Sequence, residues 1–202
     1  MPHHYDGPMR LLVTGAGRCG TTWLARALTA AGTPCTHEEY WNWDRHGEGP
    51  WTAEVAWPAA PYTPVPNTYL VHLVRHPLAT IRSRASWGTF ADTPSDTRRY
   101  RLGQWVEREF PAIAAGRTPL EKAALHWVEW NRLVKGADEF LRLEDITPDD
   151  VTRLARVVNP GAEARDLPPA VNAAPQLIDE LTWKDVAGVP GLLDLAADYG
   201  YR

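Results

Sequence analysis

An apolar run that stops at a glycine-rich turn and passes at once into a helical pattern leaves a chain few folds to choose from. Leu11-Leu12-Val13-Thr14 is followed by Gly15-Ala16-Gly17-Arg18-Cys19-Gly20-Thr21-Thr22, and Trp23-Leu24 continues into an apolar helical pattern. Residues 10–14 read as a buried strand, and Thr21 to Ala31 as a helix ended by Gly32. Strand, tight turn and helix in that order build an anion site. The first N–H groups of the helix have no partner inside it, and its dipole favours negative charge. The stretch predicts a phosphate compound seated at residues 15–22.

The rest of the chain supplies the frame. Residues 33–37 read as a short second strand with the polar cluster His37-Glu38-Glu39 at its exit. From Tyr40 to Pro66 the pattern collapses, with Trp41, Trp43, Trp51, Trp57 and Tyr62 interleaved with prolines and glycines, which predicts a long functional loop. Tyr69 to Val74 is a strand ended by Arg75-His76-Pro77, and Pro77 suits the first turn of a helix to Trp87. A helical piece is expected around Leu102–Ala115, a helix over Leu120–Val134, a strand over Glu139–Leu143 and a helix over Pro148–Val158. A Pro/Ala-rich crossing from Asn159 to Pro175 and a last short helix within Leu181–Tyr199 complete the order. Strands alternating with helices predict an α/β fold with a mainly parallel sheet covered on both faces. Ligands in such sheets bind beyond the carboxyl ends of the strands, where Gly15–Thr22, His37–Glu39 and Arg75 all fall.

Composition narrows the classes. A net charge of −4 argues against a protein devoted to nucleic-acid backbones. Arg75, Arg82, Arg84, Arg98, Arg99 and Arg101 nonetheless cluster in sequence, either as one positive patch or as solvated helix faces. No apolar run approaches the ~20 residues of a membrane span. Residues 1–9 lack an apolar core, so a frayed start and a cytoplasmic location are expected. Cys19 and Cys35 form no disulfide framework and read as packing groups near the site. The 202 residues are expected to form one domain.

The glycine loop admits three readings. Gly15, Gly17 and Gly20 fit a dinucleotide fingerprint, with Glu38 near the offset of a ribose-binding acid, but the following Pro/Trp stretch is no regular βαβ unit. The same residues fit a phosphate loop of kinase type, except that Thr21 stands where the lysine belongs and the third strand ends in Arg75 rather than Asp. The third reading changes the donor. Arg18-Cys19-Gly20-Thr21-Thr22-Trp23-Leu24 resembles the 5′-phosphate loop of the sulfotransferases that use 3′-phosphoadenosine-5′-phosphosulfate (PAPS), with cysteine in place of the usual serine. Arg75-His76-Pro77-Leu78-Ala79-Thr80-Ile81-Arg82-Ser83 is similar to that family's second motif, an Arg and a Ser around a proline after a strand. Trp127-x-x-Trp130-Asn131, Phe140 to Asp145, Leu181 to Val186 and the closing Ala197 to Tyr201 resemble its later segments more loosely.

That resemblance implies a three-layer, P-loop NTPase-like domain over 1–202. It also implies transfer of a sulfuryl group from PAPS to a hydroxyl or amine of a small-molecule or carbohydrate acceptor, leaving adenosine 3′,5′-bisphosphate (PAP), without a metal. Gly17, Arg18, Cys19, Gly20, Thr21, Thr22 and Trp23 would hold the 5′-phosphate, and Arg75 with Ser83 the 3′-phosphate. In-line transfer also needs a base for the acceptor proton and charge stabilisation on the leaving oxygen. Arg18 is the candidate for the second role, and Glu38, then His37, for the first, with Glu144 and Asp145 as structural groups. The acceptor would be covered by the Tyr40–Tyr62 loop and residues 87–105. No nucleic acid is expected as a partner, and a homodimer is compatible with the sequence. A P-loop nucleotide or small-molecule kinase and a non-catalytic nucleotide-binding module remain the alternatives.

Overall fold

The computed structural model describes residues 9–95, 97–169, 178 and 180–202. Residues 1–8 of the polar start and 170–175 of the Pro/Ala-rich crossing lie outside the described residues. In chain order the elements are β1 (Arg10–Thr14), α1 (Thr21–Ala30), β2 (Thr36–His37), β3 (Trp41–Asn42), β4 (Arg45–His46), β5 (Ala53–Val55) and β6 (Thr68–Val74). They continue with α2 (Pro77–Ser86), α3 (Arg98–Glu109), α4 (Pro111–Ala114), α5 (Pro119–Leu133), β7 (Glu139–Arg142), α6 (Pro148–Arg156), α7 (Trp183–Val186) and α8 (Leu192–Asp198).

Five strands form one sheet in the order β2-β5-β1-β6-β7, and all four pairings are parallel. Strand alternation divides the core between the two faces. Leu11, Val13, Val71 and Leu73 pack against Leu24 and Leu28 of α1 and Val151 and Leu154 of α6. Leu12 and Leu70 turn the other way, onto Trp41 and Trp51, while Val74 joins Ile81 of α2, Leu102 of α3 and Trp127 of α5. The fold is α/β, with helices flanking both faces. Among the described residues no helix is long and apolar enough to cross a membrane.

The stretch from Tyr40 to Pro66 differs from the long loop expected of it. It contains the β3–β4 hairpin, the interior strand β5 and a 3-10 helix over Trp57–Tyr62. β5 inserts between β2 and β1, so the second strand is a two-residue edge. Trp41, Trp51 and Trp57 are core residues, each at most 4% exposed, and not parts of a lid. A three-residue strand carries no readable alternation, and Ala-Glu-Val hides a buried carboxylate at its centre. The helix expected around 102–115 starts earlier, at Arg98, because the Thr97 side chain caps it by accepting from the Tyr100 N–H. Pro111 starts α4 as a separate short helix.

Candidate functional site

The turn after β1 is shaped by close approach. A Cβ on Gly15 would stand 1.9 Å from the Leu73 carbonyl oxygen of β6, so the loop lies directly against the sheet. Gly20 closes it at φ 99 as the N-cap of α1, a conformation that suits glycine. No side chain caps this end and no acidic residue lies in the first turn, so the dipole is left for an external anion. Arg18 takes φ 76 within the turn, which costs backbone energy and throws its side chain over the mouth.

A cavity of about 360 Å³ opens at this turn, within the range of small-molecule sites. Of the residues named from sequence, Arg18, Gly20, Thr21, Thr22, Trp23, His37, Glu38 and Arg75 line it. Gly17, Cys19 and Ser83 stand behind the wall. The Cys19 side chain is wholly buried, and burial pushes its thiol up to about 12, which makes it a packing group. Ser83 uses its hydroxyl to accept from Arg18 Nε at 3.0 Å, and Arg75 Nη1 donates to the Arg18 carbonyl at 3.2 Å. The two sequence motifs thus meet through Arg18.

Glu54 of β5 supports the turn that carries His37 and Glu38 without lining the cavity itself. Its fully buried carboxylate accepts from Thr36 Oγ1 at 2.8 Å and from the backbone N–H groups of Tyr40 and Trp41 at 3.0 and 3.1 Å. That clamp fixes the turn carrying His37 and Glu38. Glu38 sits at φ 52, which ends the strand alternation and lets the adjacent His37 and Glu38 side chains both line the cavity, while Glu39 is exposed. His37 Nε2 lies 3.1 Å from Thr21 Oγ1, 3.3 Å from Thr22 Oγ1 and 3.4 Å from Glu38 Oε1. Burial, with Arg98 and Arg26 nearby, depresses the histidine to about 4, so it is neutral at physiological pH. Burial raises the Glu38 carboxyl against the opposing pull of Arg98, Arg84 and Arg18.

Sequence reasoning placed Trp57, Trp87 and Leu102 in segments covering the acceptor without naming them as site residues, and left Arg84, Arg98 and Arg99 between a positive patch and a solvated face. All six line the cavity, whereas Arg101 is exposed. Trp87 lies between two cations, its ring centroid 5.1 Å from the Arg18 guanidinium and 4.9 Å from that of Arg99. Of the five aromatics named between Tyr40 and Tyr62, Trp57 alone reaches the cavity. Helical spacing was the available signal for Arg84, since Pro77, Ile81 and Arg84 share the buried face of α2.

The late helix and strand buttress the site from behind. Trp130 Nε1 donates to the Trp57 carbonyl at 2.7 Å and Trp127 Nε1 to the Arg75 carbonyl at 3.3 Å. Glu144 accepts from the His76 N–H at 2.8 Å, at the start of α2, and from the Tyr201 hydroxyl at 2.9 Å. Among the described residues no group of three or more His, Cys, Asp or Glu could hold a metal ion. No protein-family model matches the chain, and no curated protein matches its sequence. Function must therefore follow from the cavity's own geometry and charge.

Proposed function

We propose that this chain is a P-loop-like, PAPS-dependent sulfotransferase acting on a hydroxyl or amine of a small-molecule or carbohydrate acceptor. One observation carries the reading. Arg18 of the glycine turn and the Arg75–Ser83 segment are far apart in sequence, yet they are joined by hydrogen bonds at the lip of one basic cavity. A nucleotide with phosphates at both the 3′ and 5′ positions needs two cationic grips a short distance apart, and Arg75 and Arg18 supply them. Thr21 in place of a phosphate-loop lysine fits a transferred group that carries less charge than a terminal phosphoryl group.

The donor supplies an activated S–O bond. This chain's residues do the rest. The uncapped N-terminus of α1 and Arg18 hold the 5′-phosphate and its developing charge. Glu38 faces the same space and takes the acceptor's proton. Neutral His37, within reach of the Thr21 and Thr22 hydroxyls and of Glu38, positions the carboxylate against the turn. Trp57, Trp87 and Leu102 supply the apolar part of the wall beside the acceptor's space.

A thermal-shift panel tests the donor class, because a ligand that binds only the folded state raises its melting point. PAP should stabilise the protein without Mg²⁺, while ATP–Mg²⁺ and NAD should do little. Stabilisation by ATP–Mg²⁺ and not by PAP would replace this reading with a kinase.

A further inference from the structure

Arg84 has no role in the scheme above, yet its surroundings are the most restrictive in the cavity. Its side chain is 1% exposed, on α2 behind the glycine turn. The guanidinium lies over the Trp57 ring at 4.4 Å from the centroid, with Phe90 at 5.6 Å. Nη2 donates to His126 Nε2 at 3.3 Å, and burial keeps that histidine neutral. Nε and Nη1 have no hydrogen-bond partner among the described residues. Nη1 would lie 2.6 Å from a Cβ on Gly17, so the glycine is what leaves room for the cation at the turn. Desolvation lowers this guanidinium to about 9, and it remains charged at neutral pH. A buried cation with unsatisfied donors beside a cavity calls for an anion.

Charge counting says which anion. Five guanidiniums, Arg18, Arg75, Arg84, Arg98 and Arg99, face one carboxylate, Glu38. A donor with two phosphates and a sulfuryl group brings about four negative charges near neutral pH, which with Glu38 balances the five. Arg75 and Arg18 serve the phosphates, and Arg98 pairs with Glu38 at 3.6 Å. Arg99 lies against the Trp87 ring, which leaves Arg84, whose buried Nε and Nη1 lack a hydrogen-bond partner among the described residues.

Resting on the sulfotransferase reading, we infer that Arg84 is the receptor for the sulfuryl group, an oxyanion subsite separate from both phosphate grips. During transfer the bond from sulfur to the 5′-phosphate oxygen breaks and its electron pair stays on that oxygen. The bond from the acceptor oxygen to sulfur forms, and the acceptor proton goes to Glu38. The remaining sulfuryl oxygens keep their charge throughout and stay on Arg84. The Trp57 and Phe90 rings hold the guanidinium in place beside the turn.

Isothermal titration of PAP, PAPS and inorganic sulfate into wild type, Arg84→Gln and Gly17→Ala tests the assignment. Wild type should bind PAPS more tightly than PAP, and its PAP complex should bind sulfate. Arg84→Gln should lower PAPS affinity about 10- to 100-fold, the worth of one charge-assisted contact, leave PAP affinity within about threefold and abolish sulfate binding. Gly17→Ala, whose methyl displaces Nη1, should lose PAPS preference in the same direction. A preference for PAPS over PAP that both variants retain overturns the assignment alone, whereas failure of wild type to bind PAP overturns the donor reading and this assignment with it. If neither variant folds, arginine side-chain ¹⁵N NMR of the wild-type PAP complex decides. Sulfate must shift a solvent-protected guanidinium resonance, and an unmoved spectrum overturns the assignment.

Discussion

Glu38 is pulled in two directions. Burial favours its neutral form, while Arg98, Arg84 and Arg18, with a hydrogen bond involving Trp57, favour the carboxylate; burial prevails and the carboxyl lies above its ordinary value. A base so tuned holds a proton more firmly than a surface carboxylate yet is ionised when its proton affinity lies below the working pH. Glu38→Gln should lower the transfer rate by about 10²- to 10⁴-fold while PAP affinity changes by less than about threefold. Wild-type kcat/KM should fall on the acid side with a midpoint above the ordinary glutamate value, and the variant's residual activity should lack that limb. A limb retained in Glu38→Gln would place the base on another residue. At this scale the motif residues were legible because their spacing matches a chemistry, as with Arg18 and Arg75. Glu54 was not, since its role comes from a buried clamp on the turn carrying His37 and Glu38, made through the backbone of residues 40 and 41.

Among the elements, the glycine turn is fixed by two contacts of different stiffness. A methyl at residue 15 would meet the Leu73 carbonyl oxygen at 1.9 Å, part of the β6 backbone, whereas one at residue 17 would meet only side chains, Arg84 Nη1 at 2.6 Å and the Trp57 ring at 3.2 Å. Neither position carries a positive φ, so sterics alone sets the cost. Gly15→Ala should therefore destabilise the fold by at least about 1–3 kcal/mol, read as a lower urea midpoint, and Gly17→Ala by distinctly less. Equal losses would mean that the turn does not rest on β6 as described. This strand–turn–helix unit was readable because buried apolar run, glycines and helical period follow one another locally. The same local signals failed between Tyr40 and Pro66. There β5 is only three residues long and pairs with strands distant in sequence, and Pro58 and Pro61 lie in a 3-10 helix rather than an open loop. Trp41 and Trp51, taken for parts of a binding loop, instead fill the face that Leu12 and Leu70 present.

For the molecule as a whole, the buried titratable groups set opposing slopes of stability against pH. His37, His72, His76 and His126 are all held below the ordinary histidine value by burial. Between the folded and unfolded values of such a group the unfolded chain binds the proton and the native one does not, so stability is lost on acidification. Glu38 and Glu54 are raised instead, and their contribution is lost as pH rises through their folded values. The two sets oppose each other in mildly acidic solution, so a single melting curve cannot separate them. A difference between variants can. For His37, with 6.5 as its ordinary value and about 4 in the fold, linkage gives a loss of up to about 2 kcal/mol between pH 7 and pH 5. Urea unfolding of wild type and His37→Gln at the two pH values should show the wild type losing that much relative to the variant on acidification. A difference independent of pH would mean that His37 takes up its proton as readily in the fold as in the unfolded chain. Burial beside Arg98 and Arg26 would then not be keeping the imidazole neutral, and the wall facing Arg18 would gain positive charge in mildly acidic solution.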